Sequence, residues 1–177
     1  MVELIIGIIV VIALILLFIV IIHNKFQFAI IEIEEAENNI DILLHKKKDL
    51  LNRSIPIIRK ELKMEDFLKE LDDKKDSDIN LFELNSLLKK SYEDFFKVLD
   101  ENEKLFKSET LTTIIDDINN NEIDLVAAVK FYNNSVVGFN KLVSSFPSCV
   151  FAFFRRYKKK DFYNNEKKEI FDILNDK

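Results

Sequence analysis

An unbroken apolar run near the N-terminus, Leu4 to Ile22 (LIIGIIVVIALILLFIVII), constrains this chain more than any other feature. As a helix the run extends about 28 Å at about 1.5 Å per residue, and the hydrocarbon core it would have to cross is about 30 Å thick. Every face of that helix is apolar and no charge interrupts it, which argues against a core helix packed on one side. A cleaved signal peptide would need a positive leader, an apolar stretch of about 7–15 residues and a small-x-small cleavage site. Here only Glu3 carries charge before the run, and HNKFQFAII follows it. The expectation is an uncleaved anchor, with residues 1–23 as tail and membrane helix and the lipid bilayer as the partner of residues 4–22. The N-tail has no Lys or Arg, whereas Lys25 follows the run and Lys46, Lys47 and Lys48 lie further on. The positive-inside rule therefore favours the N-terminus outside and the bulk of the chain in the cytoplasm, with the reverse orientation as the alternative.

Composition closes off several functions. Two glycines in 177 residues leave no phosphate-binding loop or dinucleotide fingerprint. One cysteine excludes an internal disulfide and a Cys-rich zinc site. A net charge of −5 argues against nucleic acid as a partner.

Beyond residue 24 the apolar residues step by three and four. Phe26, Ala29, Ile33, Ala36, Ile40, Leu43, Leu50 and Ile57 form one line. Leu44, Leu51, Ile55, Ile58 and Leu62 form its neighbour, as expected when a 3.6-residue helix drifts past a 3.5-residue repeat. The pattern predicts a helix from about Asn24 to Leu71, continuous with the membrane helix and kinked or broken near Pro56. DDKKDSDIN, residues 72–80, reads as a solvated loop. A second helix is expected from about Leu81 to Phe106, on Leu81, Leu84, Leu88, Tyr92, Phe95, Leu99 and Phe106. A third, capped by Ser108 or Thr110, carries the cleanest stripe: Leu111, Ile115, Ile118, Glu122, Leu125, Val129, Tyr132, Val136, Phe139, Val143 and Phe146. Gly138 inside it suggests a close helix contact. Pro147 should end this helix and open a short one to about Tyr157. The predicted fold class is all-α, an antiparallel bundle of three long helices over residues 24–163 plus a short C-terminal helix, with a weakly helical tail over 164–177.

Two blocks of this pattern resemble the LemA family of membrane-anchored helical-bundle proteins. The first, HNKFQFAIIEIEEAENNIDILLHKKKDLL, carries Asn24, Ile33, Ala36, Ile40, Asp41, Leu44, Lys47, Asp49 and Leu50 at the family's spacing. The second carries Glu122, Tyr132, Asn133, Val136, Asn140, Phe146, Pro147 and Ala152, and its YN-x6-N-x5-FP core is the more specific. His23 replaces a usual Tyr, Asn52 a usual Pro, and Val129 and Lys47 usual Arg residues. The resemblance implies a fold and an anchor rather than a reaction.

The residues singled out for signature or interaction roles are Asp41, Lys47, Asp49, Glu122, Tyr132, Asn133, Asn140, Phe146 and Pro147. Lys47 and Glu122 interrupt apolar seams, so each needs a partner or a path to solvent; the sharper expectation is that they pair across the bundle. Tyr132, Asn133 and Asn140 are read first as structural bonds between elements and second as contacts to a partner. Neither histidine, His23 or His45, has metal-ligand spacing, and Cys149 lacks a His partner, so no catalytic residue, metal or cofactor is expected. RRYKKK with Phe151, Phe153, Phe154, Phe162 and Tyr163 suits an anionic lipid surface. If the helices run out, back and out again, however, that segment lies far from the chain's own bilayer. The expected function is an interaction or scaffold module with an unidentified protein partner. The alternative is a cell-envelope stress or membrane-shaping component that works by self-association, although the span lacks a GxxxG motif.

Overall fold

The computed structural model describes residues 1–73 and 81–163. The predicted 164–177 tail and most of the predicted 72–80 loop lie outside these residues. The elements are α1 (Val2–Leu62), α2 (Lys69–Asp73), α3 (Leu81–Glu101), a 3₁₀ turn (Glu103–Lys107), α4 (Glu109–Ser144) and α5 (Ser148–Arg155). There is no strand among the described residues. The chain divides into two compact units, one of Met1–Glu37 with Val129 onward and one of Asn38–Ala128, with α1 and α4 contributing to both.

The helix α1 is a single element of 61 residues. Its N-terminal part is long and apolar enough to cross a membrane, and residues 1–21 are exposed on every face. Pro56 does not break it: the helix runs on to Leu62, short of the predicted end at Leu71. Lys63 and Leu68 then take left-handed backbone angles, φ 55° and 48°. Arg59 clasps the turned chain, donating from Nε and Nη2 to the Phe67 carbonyl at 3.1 and 2.9 Å. This lets Phe67 and Leu71 bury their side chains outside the helix that was expected to carry them.

In the unit of Asn38–Ala128 both predicted lines of α1 are used. Ile40 and Leu43 on the first line and Leu44, Leu51, Ile55 and Ile58 on the second are buried, together with Leu84, Leu88, Phe95, Leu99, Leu111 and Ile118. The sense of α3 departs from a simple out-and-back order. Asp94, Lys97 and Glu101 near the end of α3 line one cavity with Met64, Phe67 and Leu68 just past α1, and Glu122 meets Lys47, so α4 begins beside the far end of this part of α1. Helix α3 reaches α4 through the short 3₁₀ turn, while its Tyr92 lies under Lys47. Thus α3 runs in the direction of α1, and α4 runs against both. The 3₁₀ turn also shifts the helical phase. Leu105 is buried and Phe106, the residue predicted to lie on the seam, is 50% exposed. Ser108 caps α4, its Oγ accepting from the Leu111 N–H at 3.3 Å.

In the other unit, Phe26 of α1 anchors an aromatic cluster. Its ring lies 5.9 Å from Phe139, 5.6 Å from Phe151 and 5.0 Å from Tyr157. His23 lies 6.0 Å from Phe151. Here too α4 runs against α1, so its C-terminal end and α5 sit beside the residue that closes the apolar run. The basic-aromatic segment is therefore close to the end of the apolar helix, not distal to it. The reason is that the C-terminal part of α4 lies beside this part of α1, with Phe139 against Phe26. Helix α4 stops at Ser144, so Phe146 leaves the seam and is 83% exposed. Pro147 follows through a cis peptide bond as the cap of α5.

Gly138 does not mark a close contact. A methyl group there would meet nothing within 4 Å. Gly138→Ala should therefore raise stability by about 0.5–1 kcal/mol, through helix propensity and a less flexible unfolded chain. A thermal midpoint followed by circular dichroism checks this; a lowered midpoint would mean that the position packs against something after all.

Candidate functional site

The polar residues singled out by the sequence fall into two clusters, one in each unit. In the first, Lys47 Nζ donates to Glu122 Oε2 at 2.6 Å across 75 residues of chain. It also lies 4.4 Å from the centre of the Tyr92 ring. The expected pairing is present. Its two members differ in environment, because the Lys47 side chain is 6% exposed and that of Glu122 is 34% exposed. The lysine is thus the committed charge, held by a carboxylate and by the negative face of a ring. Burial first, and the Glu122 charge second, push the Tyr92 phenol above its usual pKa. Beside Glu122 in sequence, the fully buried Asn121 donates from Nδ2 to the Leu43 carbonyl at 3.1 Å, while its Oδ1 has no partner. Asn121 lies in the polar run NNNE and is not among the residues the sequence singled out. Its position three residues after Ile118 and four before Leu125 is the signal that could have found it.

In the second cluster Tyr132, Asn133 and Asn140 all bind backbone of the segment that follows α5. Asn140 Nδ2 donates to the Lys160 carbonyl at 2.8 Å, and the Lys160 N–H donates to Asn140 Oδ1 at 2.8 Å. The Tyr163 N–H donates to Asn133 Oδ1 at 2.9 Å, and the Tyr132 hydroxyl donates to the Asp161 carbonyl at 3.3 Å. The spacing explains the fit. Seven helical residues from Asn133 to Asn140 rise about 10.5 Å, and three extended residues from Lys160 to Tyr163 span about 10 Å. Two asparagines two turns apart therefore match peptide groups three residues apart on a chain running the other way. Each amide offers a donor and an acceptor, so Asn140 treats Lys160 as a neighbouring strand would. Burial, and then the Glu37 charge, raise the Tyr132 phenol above its usual pKa. Lys160 Nζ lies 3.8 Å from Glu37 Oε1 on α1.

Residues 36–172 match the family model for LemA. The chain belongs to the LemA family. No curated protein and no solved structure matches it. In this LemA-family chain the remaining signature residues stay apart from the two clusters. Asp41 lies 3.5 Å from His45 one turn on, with both side chains well exposed. Asp49 is exposed. Phe146 and Pro147 form the corner between α4 and α5. No group of three or more His, Cys, Asp or Glu side chains able to hold a metal is found among the described residues.

Proposed function

We propose that this LemA-family chain is a single-pass membrane protein that displays its helices in the cytoplasm as an interaction or scaffold module, without catalysis. The observation that carries this reading is the continuity of α1, which runs unbroken from Val2 through the apolar segment into the folded part at Leu62. No break in the helix separates the apolar segment from the residues that follow it. The commitments of the polar side chains support the same reading. Lys47 is bound to Glu122, and Asn133 and Asn140 are bound to backbone, so these groups are engaged in holding the fold. Lys25, just beyond the apolar run, supports the cytoplasmic side.

The test of sidedness replaces Cys149, the only thiol in the chain, by Ser and introduces Asp124→Cys at an exposed position of α4. A membrane-impermeant thiol reagent should label the protein only after the cells are permeabilised. Labelling of intact cells would place the bundle outside and favour the self-association reading. Sedimentation of the detergent-solubilised chain separates the two classes further: a mass independent of concentration fits the module, and a concentration-dependent oligomer fits self-association.

A further inference from the structure

We infer that α5 and the basic segment after it form a second membrane contact, which lies in the headgroup region of an anionic leaflet. The inference rests on residues 4–22 crossing the bilayer as proposed above. Four observations converge on it. The first is level: Phe151 meets His23, the residue that closes the apolar run, and Phe26 one turn further on. The second is direction: α5 turns 93° from α4, which itself runs back along α1. An element perpendicular to a spanning helix lies in the plane of the membrane. Its eight residues cover only about 12 Å, too short to cross about 30 Å of hydrocarbon but suited to the interface.

The third is the face that α5 presents. Ser148 and Ala152 are buried, and Ser148 Oγ donates back to the carbonyls of Leu142 and Ser145 at the end of α4. Val150, Phe153 and Phe154 lie on the opposite side of the helix, at spacings of three and four. They are 48%, 79% and 77% exposed, and Phe146 at the corner is 83% exposed. Their side points away from the end of α4, which is towards the bilayer. The fourth is charge. Arg155, Arg156, Lys158 and Lys159 follow at once and are all exposed, with Asp161 the only acid in this stretch. Apolar side chains beside a cationic run match the two layers of an anionic membrane surface, acyl boundary below and headgroups above. A protein partner would have no reason to favour this height.

The chain contains no Trp, so a single introduced Trp reports alone. The full-length chain is reconstituted in phosphatidylcholine vesicles with and without phosphatidylglycerol. Trp is placed at Phe153→Trp in one variant and at Leu14→Trp, inside the apolar run, in another. Lipids brominated near the headgroup should cut the Phe153→Trp emission by about twofold in anionic vesicles, as expected for burial at the acyl boundary. Lipids brominated near the chain end should quench Leu14→Trp in either vesicle. Replacing Arg155, Arg156, Lys158 and Lys159 by Gln should lower the docked-to-undocked ratio by about fivefold per charge. If Leu14→Trp is quenched and Phe153→Trp is not, the second contact does not exist and the anchor stands. If Phe153→Trp is shielded from an aqueous quencher but not reached by the lipid quencher, protein covers the face and the inference is wrong. If Leu14→Trp escapes quenching, the anchor reading itself fails.

Discussion

Glu122→Gln is expected to destabilise the chain by about 2–3 kcal/mol, because it leaves the Lys47 ammonium in a largely buried site without its counter-charge. Lys47→Met should cost less, about 1 kcal/mol. Its thioether chain still packs on Tyr92, and the Glu122 carboxylate, a third exposed, can turn to water. The double variant Lys47→Met with Glu122→Leu should return to within about 1 kcal/mol of the parent, as apolar replacements of buried pairs often do. Urea unfolding followed by circular dichroism measures all three. The ordering is the informative result. Equal losses from the two single changes would mean that both charges are equally solvated and that the pair does not set the helix register.

The second large effect is expected at Asn140. Asn140→Ala removes both hydrogen bonds to Lys160 and leaves its part-buried N–H and carbonyl without those partners. Amide exchange at Lys160 and Tyr163 should quicken by about a hundredfold, equivalent to about 2.7 kcal/mol, while exchange in the middle of α4 stays slow. Asn140→Asp should loosen the segment at least as much. It keeps the acceptor for the Lys160 N–H but sets a carboxylate oxygen against the Lys160 carbonyl. Unchanged exchange in both variants would show that the aromatic contacts around Phe26 and Tyr157 hold this segment without the asparagines.

These two clusters show what could be read from the chain and what could not. Helix type and most of the core were legible, because burial follows spacing: Phe26, Ile33, Ile40, Leu111, Ile118 and Val136 lie on the predicted lines and are buried. Lys47 and Glu122 stood out because a charge on an apolar line is costly. Asn133 and Asn140 were visible as a motif, but their ligand was not. The backbone of Lys160 and Tyr163 offers N–H and carbonyl groups that every residue has, so no side-chain pattern announces it. The direction of α3 was also hidden. It comes after a turn in which Lys63 and Leu68 adopt left-handed angles and Arg59 binds the Phe67 carbonyl, and none of these residue types signals such a turn. The segment expected to be distal is a neighbour of the apolar helix because the end of α4 lies beside α1 there, with Phe139 against Phe26.

Retention of the apolar part of α1 as an anchor is what the proposed function requires above all. The direct measurement is the intact mass of the protein recovered from membranes washed with alkaline carbonate. The chain should stay in the membrane pellet, be released only by detergent and retain its apolar segment. A chain recovered in the wash, shortened by the residues up to about His23, would show that the segment is a cleaved signal and not an anchor.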